Sequence, residues 1–465
     1  MVKIAGLLMT LRQTRHKNSL TSKPNQNRKW PEFYLGTLST LFLFTNKQTF
    51  PLLRPAMNHF PKKFLPVLDK MVIVSLFVFT AFSMFSISIT QIAGGLGGLA
   101  WLLRTHITGS WQEQRWPLGV PFALFALACL VAVVTAYEPT SSYKELKKLL
   151  EVLIFFWVVN CVRENSLRDS LSTLLIIVAT LAGLYGFYQG WRDGVSTHSR
   201  VAGTMSVYMT FAGLLMVTGM SALGRALFKR PRENWLWLAV VIIIICLLFT
   251  LTRQAWFGFL VGVCFIVYVR QKKYFLIGSV FTIGFVLLAL GPMKPEVLRM
   301  LKPQGNSFVE QMKYRVHSMV SGEDDTYNMR LALWRVGLEI AMDYPLTGCG
   351  FHCVDLINAK YPDPTKIVER LRGMHNNFIQ LAVDTGILGL SAWVGIWVCF
   401  FVLLYRRAKE TAGDPSENWS IYGSAAAGLA FLAGGCFESN LYDSEVVMVL
   451  YFVMALPFSG FQAKG

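Results

Sequence analysis

The chain has 465 residues, of which 54% are apolar and only 15% charged, with a mean hydropathy of +0.44. A soluble protein carries about 25% charged residues, so too few remain here to cover a water-facing surface, and a wholly soluble globule is excluded. The net charge of +17 does not point to nucleic acid either, because residues 1–70 hold 12 Lys/Arg against Glu32 and Asp69 and so carry +10 of it, and most of the rest sits in short links between apolar runs.

Residues 1–70 read as a basic cytoplasmic lead, disordered or upstream of the natural start, for which Met57 or Met71 would serve equally well. The first apolar stretch, Ile4–Leu11, runs into Arg12, Arg15 and Lys17 instead of a small-residue cleavage site. Tyr34–Phe44 is too short to span, since a helix needs about 20 apolar residues. Twelve apolar runs follow, at 71–86, 88–103, 117–136, 148–163, 169–189, 204–224, 235–251, 254–270, 274–292, 377–405, 420–437 and 443–461. The expected fold class is therefore an all-α polytopic membrane protein of about 12 transmembrane helices. Nine fall in 71–292 and three in 377–465, which ends in a short tail, and one large hydrophilic helical loop, 293–376, separates them.

Two details of that division need a reason. Gly94-Gly95 and Gly97-Gly98 permit close packing of the first two spans. Trp235 to Val269 is almost unbroken and would run ~50 Å as one helix, beyond a ~30 Å hydrocarbon core. Its only polar break, Thr252-Arg253-Gln254, must be a tight hairpin at a membrane surface.

Orientation follows from basic links. The links 104–116, 163–168, 225–234, 270–273 and 406–418 each carry at least two Lys/Arg, whereas 438–445 carries Glu438, Asp443 and Glu445 and no Lys/Arg. The positive-inside rule then puts both termini in the cytoplasm and Lys144, Arg200, Arg253 and 293–376 outside. That loop has 11 Lys/Arg and 10 Asp/Glu over 293–375, so it reads as a small folded unit. Pro295–Met300 and Asn306–Val320 suit short surface helices. Tyr327–Met342 has helical spacing, with Asn328 as a possible cap and Met329, Leu333, Val336 and Ile340 on one face; Pro345, Gly348 and Gly350 end it.

Polar residues at the outer span ends are the candidates for chemistry. Arg253 on the hairpin turn either snorkels to lipid head groups or holds an anion. Arg330, four residues before Trp334, is either a solvated charge beside a buried ring or a guanidinium fork for phosphate. His375 opens the tenth span, and Asn377, Gln380 and Asp384 follow on about one helical face. Interhelical hydrogen bonding accounts for Gln380 and Asp384; it accounts less well for His375, a residue type that takes a proton near neutral pH. Arg200 precedes the sixth span on the same side. Six cysteines lie within apolar runs, and the pairing of Cys349 with Cys353 stays open. No metal-ligand motif, P-loop or dinucleotide fingerprint occurs, so no cofactor or metal is expected. Unaided, the residues describe an outer cavity for an anionic, lipid-borne phosphate with one histidine able to act as base.

Three stretches in this order resemble the O-antigen ligase and polymerase superfamily: Leu251 to Gly258 around Arg253; Arg330 to Trp334 followed by Pro345 and Gly348-Cys349-Gly350; and His375-Asn376-Asn377 leading to Asp384-Thr385-Gly386-Ile387-Leu388-Gly389. The resemblance covers about residues 71–460 and departs from the family pattern where Thr252 and Gln254 replace small residues beside the Arg. It implies a membrane-embedded glycosyltransferase of the GT-C-like kind in the bacterial inner membrane, with its site facing the periplasm. The donor would be an undecaprenyl-pyrophosphate-linked O-antigen and the acceptor, for the ligase branch, a hydroxyl of lipid A–core. Position by position, His375 would be the base, Arg253 and Arg330, with Arg200, would hold pyrophosphate, and Asn376, Asn377, Trp334 and Asp384 would support them. A single dominant outer loop, a short 190–203 link and the little chain beyond span twelve favour the ligase over O-antigen polymerases and protein O-oligosaccharyltransferases. A flippase is the reading from another class, and it lacks the internal repeat expected of transporters.

Overall fold

The structure is a computed structural model that describes residues 64–196, 199–271, 325–361, 373–411 and 415–460. Every regular element among them is helical. In chain order they are α1 (Leu65–Phe82), α2 (Ile87–Thr108), α3 (Gly119–Val134), a 3-10 segment (Tyr143–Glu151), α4 (Val152–Cys161), α5 (Asn165–Asp193), α6 (Tyr208–Phe228), α7 (Trp235–Phe249), α8 (Arg253–Arg270), α9 (Asp325–Asp343), α10 (Asn377–Glu410), α11 (Pro415–Gly434) and α12 (Ser444–Ala455).

Eleven of the twelve apolar runs thus carry a described helix, and the run 274–292, the helices expected at Pro295–Met300 and Asn306–Val320 and most of the basic lead lie outside the described residues. Five helices (α1, α5, α6, α8 and α10) are long and apolar enough to cross a membrane, and three shorter apolar ones, α3, α7 and α12 with its 3-10 end, accompany them. The run 148–163 departs most from expectation. Its first residues, 148–151, belong to the 3-10 segment Tyr143–Glu151, and the α-helix begins only at Val152. Asn328 is not a helix cap: α9 already runs from Asp325. The expected face is there, with Leu333, Val336 and Ile340 buried.

The expected break between the two helices forms, but as a turn at 250–252 and not at Thr252-Arg253-Gln254, so Arg253 and Gln254 are the first residues of α8. Leu251 takes a left-handed backbone (φ 50°), and the Trp256 indole N–H donates to the Leu247 carbonyl at 2.9 Å, locking the turn. The two arms then diverge: α7 packs on α5 and α6, whereas α8 packs on α11. Gly258 and Gly262, one helical turn apart, let the α11 backbone at Ala430 and Ala426 approach α8 closely. That contact fixes the start of α8 beside the end of α11. Of the glycines expected between the first two spans, Gly97 lies under the Trp157 ring and against Ser75, whereas Gly95 and Gly98 meet nothing.

Charged groups separate the two ends of the bundle. Residues placed inside by the basic links meet at one end: Arg168 bonds Glu417 at 2.6 Å, Arg225 bonds Glu233 at 2.9 Å, and Lys229 bonds Asp169 and Glu233 at 2.8 Å each. Arg168 and Arg225 also each stand 5.4 Å from the ring of the fully buried Trp419. At the other end the starts of α6, α8 and α10 meet the link 435–443.

Helix α10 is broken at Gly386, whose φ of 62° is left-handed. Segment 345–350 repairs the break. Cys349 and Gly350 donate N–H to the carbonyls of Val383 (2.9 Å) and Asp384 (3.2 Å), and Ile387 and Leu388 donate to the carbonyls of Pro345 (2.9 Å) and Leu346 (3.2 Å). Backbone groups freed within an apolar bundle cost several kcal/mol unless satisfied this way. Such proximity also requires glycine at Gly348, where an added Cβ would meet the backbone of Val383 to Thr385. Tyr137 N–H to the Cys349 carbonyl (2.9 Å) and the Ser142 hydroxyl to the Phe351 carbonyl (2.9 Å) anchor the inserted segment to the region just after α3. Cys349 in this segment and Cys353 just beyond it, whose pairing the sequence left open, form a disulfide.

Candidate active site

The site is assembled at the start of α10. Asn376 caps the helix by accepting the N–H groups of Phe378 (2.9 Å) and Ile379 (3.1 Å), and its amide donates to the Cys436 carbonyl at 2.9 Å. Asn377, fully buried, donates to Asn440 Oδ1 (2.5 Å), accepts from Leu441 N–H (3.1 Å), and gives its own N–H to the Gly435 carbonyl (2.7 Å). These two adjacent asparagines therefore staple the link 435–441 to the helix start.

The staple brings Glu438 to His375. Glu438 Oε1 lies 2.9 Å from His375 Nδ1. A carboxylate accepts, so facing it Nδ1 is the donor, and in the neutral ring Nε2 is then the nitrogen with the lone pair. His375 itself has φ 47°, a left-handed backbone that costs a non-glycine residue about 1–2 kcal/mol. Its neighbour pays for this through two fixed bonds: Met374 N–H donates to Gln380 Oε1 (2.7 Å), and the Met374 carbonyl accepts from the Trp334 indole (2.9 Å). The ring position is thus set by α9, α10 and the 435–441 link together.

Two of the three expected arginines stand here. Arg330 Nη2, on α9, is 3.9 Å from Glu438 Oε2. Arg253 is the first residue of α8, and its neighbour Gln254 lies 3.5 Å from Glu438 Oε2. The start of α8 thus lies beside Glu438 through the Gln254 side chain. Arg200 has its guanidinium 4.5 Å from the ring centre of Tyr208, at the start of α6. Trp334 stacks obliquely on Phe437, 6.0 Å between centres, so it braces both walls. Asp384 lies deeper and buried, where both oxygens accept from Gln380 Nε2 at 3.0 Å and one accepts from the Tyr442 hydroxyl at 2.5 Å. It supports the site through Gln380 and does not reach the histidine in this chain of bonds.

Residues 238–394 match the family model described as O-antigen ligase. The match identifies a domain of the O-antigen ligase/polymerase superfamily over those residues, about a third of the chain. No protein of curated function matches the chain. Superfamily members are glycosyltransferase-like ligases and polymerases, which fits a multi-pass bundle with a histidine and arginines at one end. Within the O-antigen ligase match lie Arg253, Arg330 and His375; Glu438 lies beyond it. Sequence reasoning used Glu438 only as a sign of an outer link. No local signal singled it out, because Glu438 shares its link with Asp443 and Glu445, and only the fold brings it to His375.

Proposed function

We propose that this protein is an O-antigen ligase. It transfers a glycan from undecaprenyl pyrophosphate to a hydroxyl of lipid A–core on the outer side of the bacterial inner membrane, without ATP or metal. The observation that carries the reading is the His375–Glu438 pair held between Arg330 and the start of α8.

The chemistry follows from that arrangement. His375 Nε2 takes the proton of the acceptor hydroxyl as its oxygen bonds the anomeric carbon. Glu438 holds the ring in the tautomer that leaves Nε2 free and stabilises the imidazolium that forms. The bond from the anomeric carbon to the pyrophosphate oxygen breaks, and the negative charge that develops there falls to Arg253 and Arg330. Pyrophosphate is already a good leaving group, so charge stabilisation is the main demand. Arg253 and Arg330 are the cations assigned to that charge, because a guanidinium stays charged and presents a planar fork of donors. Arg200 flanks this region and is assigned a weaker share, since its guanidinium rests on Tyr208.

The ligase is preferred over the polymerase on the single large outer loop. It is preferred over a flippase because the sequence has no internal repeat, and the break in α10 is filled by the chain's own segment 345–350. Donor affinity and single-turnover rate, measured in detergent with lipid-linked donor, test the assignment. His375→Ala should bind donor as wild type does and turn over ~10²–10⁴-fold more slowly. Arg253→Lys and Arg330→Lys should weaken donor binding, because an ammonium lacks the planar fork. Normal turnover in a folded His375→Ala protein would refute the base assignment.

A further inference from the structure

Away from His375, the 3-10 segment Tyr143–Glu151 packs on α3 and α12 and leaves beneath it a cleft that opens on one side. Four aromatic side chains line it, Phe125, Phe351, Tyr442 and Tyr451, together with Glu145 and Glu151. Glu145 has Lys148 at 2.8 Å and His352 at 3.1 Å. Burial alone would raise its carboxyl, but the bonds from Lys148 and His352 more than offset this and hold it below the ordinary range, so it is charged near neutral pH. Lys148, the one cation lining the cleft, is committed to Glu145, to the Tyr442 carbonyl (3.2 Å) and to the Tyr442 ring (4.9 Å).

This lining discriminates among occupants. A phosphate would face two glutamates with the nearest lysine already engaged. A fatty chain would lay hydrocarbon against this ion pair and keep water from the remaining lone pairs of Glu145, a cost that the bonds to Lys148 and His352 reduce but do not remove. A sugar ring suits both features: its C–H faces pack on aromatic rings, and its hydroxyls donate to carboxylates. We propose that this cleft is a subsite for one neutral sugar ring of a glycan substrate, an inference that rests on the glycosyl-transfer reading above. Its wall is tied to the reaction centre. Leu441 N–H bonds Asn377, and the Tyr442 hydroxyl bonds Asp384, which bonds Gln380, which accepts the N–H of Met374 beside His375. A ring seated in the cleft is thereby held in register with the histidine.

The ring can belong to the acceptor or to the donor, and binding of lipid-free oligosaccharides separates the two. Saturation-transfer NMR on the full chain in detergent would use two probes released by mild acid, the lipopolysaccharide core oligosaccharide and the carrier-linked glycan. One of them should bind wild type, and its identity names the source. Leu149→Trp, which fills the cleft, and Glu145→Gln should each weaken that binding about tenfold or more. Lys147→Gln, on the exposed side of the same segment, should leave it unchanged. His375→Ala should keep the affinity while losing transfer. Loss of affinity in the cleft variants of a protein that transfers no glycan would sink the transferase reading and leave the subsite standing. Four results would overturn the subsite: no binding of either probe to wild type, equal affinity in wild type and both cleft variants, competition by inorganic pyrophosphate, or loss of co-purified phospholipid from Leu149→Trp with sugar binding unchanged.

Discussion

His375 and Glu438 are 63 positions apart and meet in a single 2.9 Å contact, on which the proposed base and its orienting carboxylate rest. Partners of this kind, acting through a histidine, typically contribute 10–100-fold in comparable metal-bound settings. Glu438→Gln should therefore cost roughly 10–100-fold in single-turnover rate, less than His375→Ala, with donor affinity changed little. Because the two act as a unit, the double variant should be no slower than His375→Ala alone. Independent, multiplicative losses in that double variant would show that Glu438 serves the arginines and not the histidine. The same scale shows what a lone residue conceals. Asp384 looked like part of a polar stripe entering the membrane, yet its bonds to Gln380 and Tyr442 make it the buried brace of that stripe.

Two contacts between elements decide whether that geometry persists. The first is the break in α10 with segment 345–350 set into it. Gly386→Ala would impose a left-handed backbone on alanine and push its Cβ into the Leu346 carbonyl. The expected loss is about 3 kcal/mol or more, read as lower folded yield and melting temperature, with the surviving protein turning over normally. The second is the ion lattice at the opposite end. Glu417 bonds the fully buried Arg168, so Glu417→Ala leaves that guanidinium without its partner, at a cost of about 3–5 kcal/mol. Thermal melts in detergent should register it, while turnover per folded molecule stays near wild type. A rate that falls as far as the stability would mean this end opens during the reaction, as a transporter requires.

For the molecule as a whole, sidedness is the property on which every site assignment depends. The ends that share ion pairs around Arg168 and Glu417 are those the basic links place inside, and the ends around His375 are those placed outside. Reporter fusions at Gly322 and Gly413 should accordingly give opposite signals. The same signal from both would invalidate the outer location of His375, Arg253 and Arg330 together.

Hydrophobic length and charge are local properties, so the sequence alone determined the helical class, the break near Arg253 and the amphipathic face of α9. The motifs around Arg253, Arg330 and His375 were legible for the same reason, since each is a short string at a span end. Continuity of a helix was not legible. Gly386 reads as one more glycine in an apolar run, and only the carbonyls and N–H groups of a distant segment show that the chain breaks there. Pairing was equally hidden: Asn376 and Asn377 draw in a link about sixty residues away, and nothing near Glu438 announces that it will meet a histidine. Apolar runs declare themselves by their own transfer energy, whereas a buried hydrogen bond between remote residues has its energy only once packing has excluded water from both. Tertiary structure therefore decided which carboxylate orients His375 and which segment completes α10.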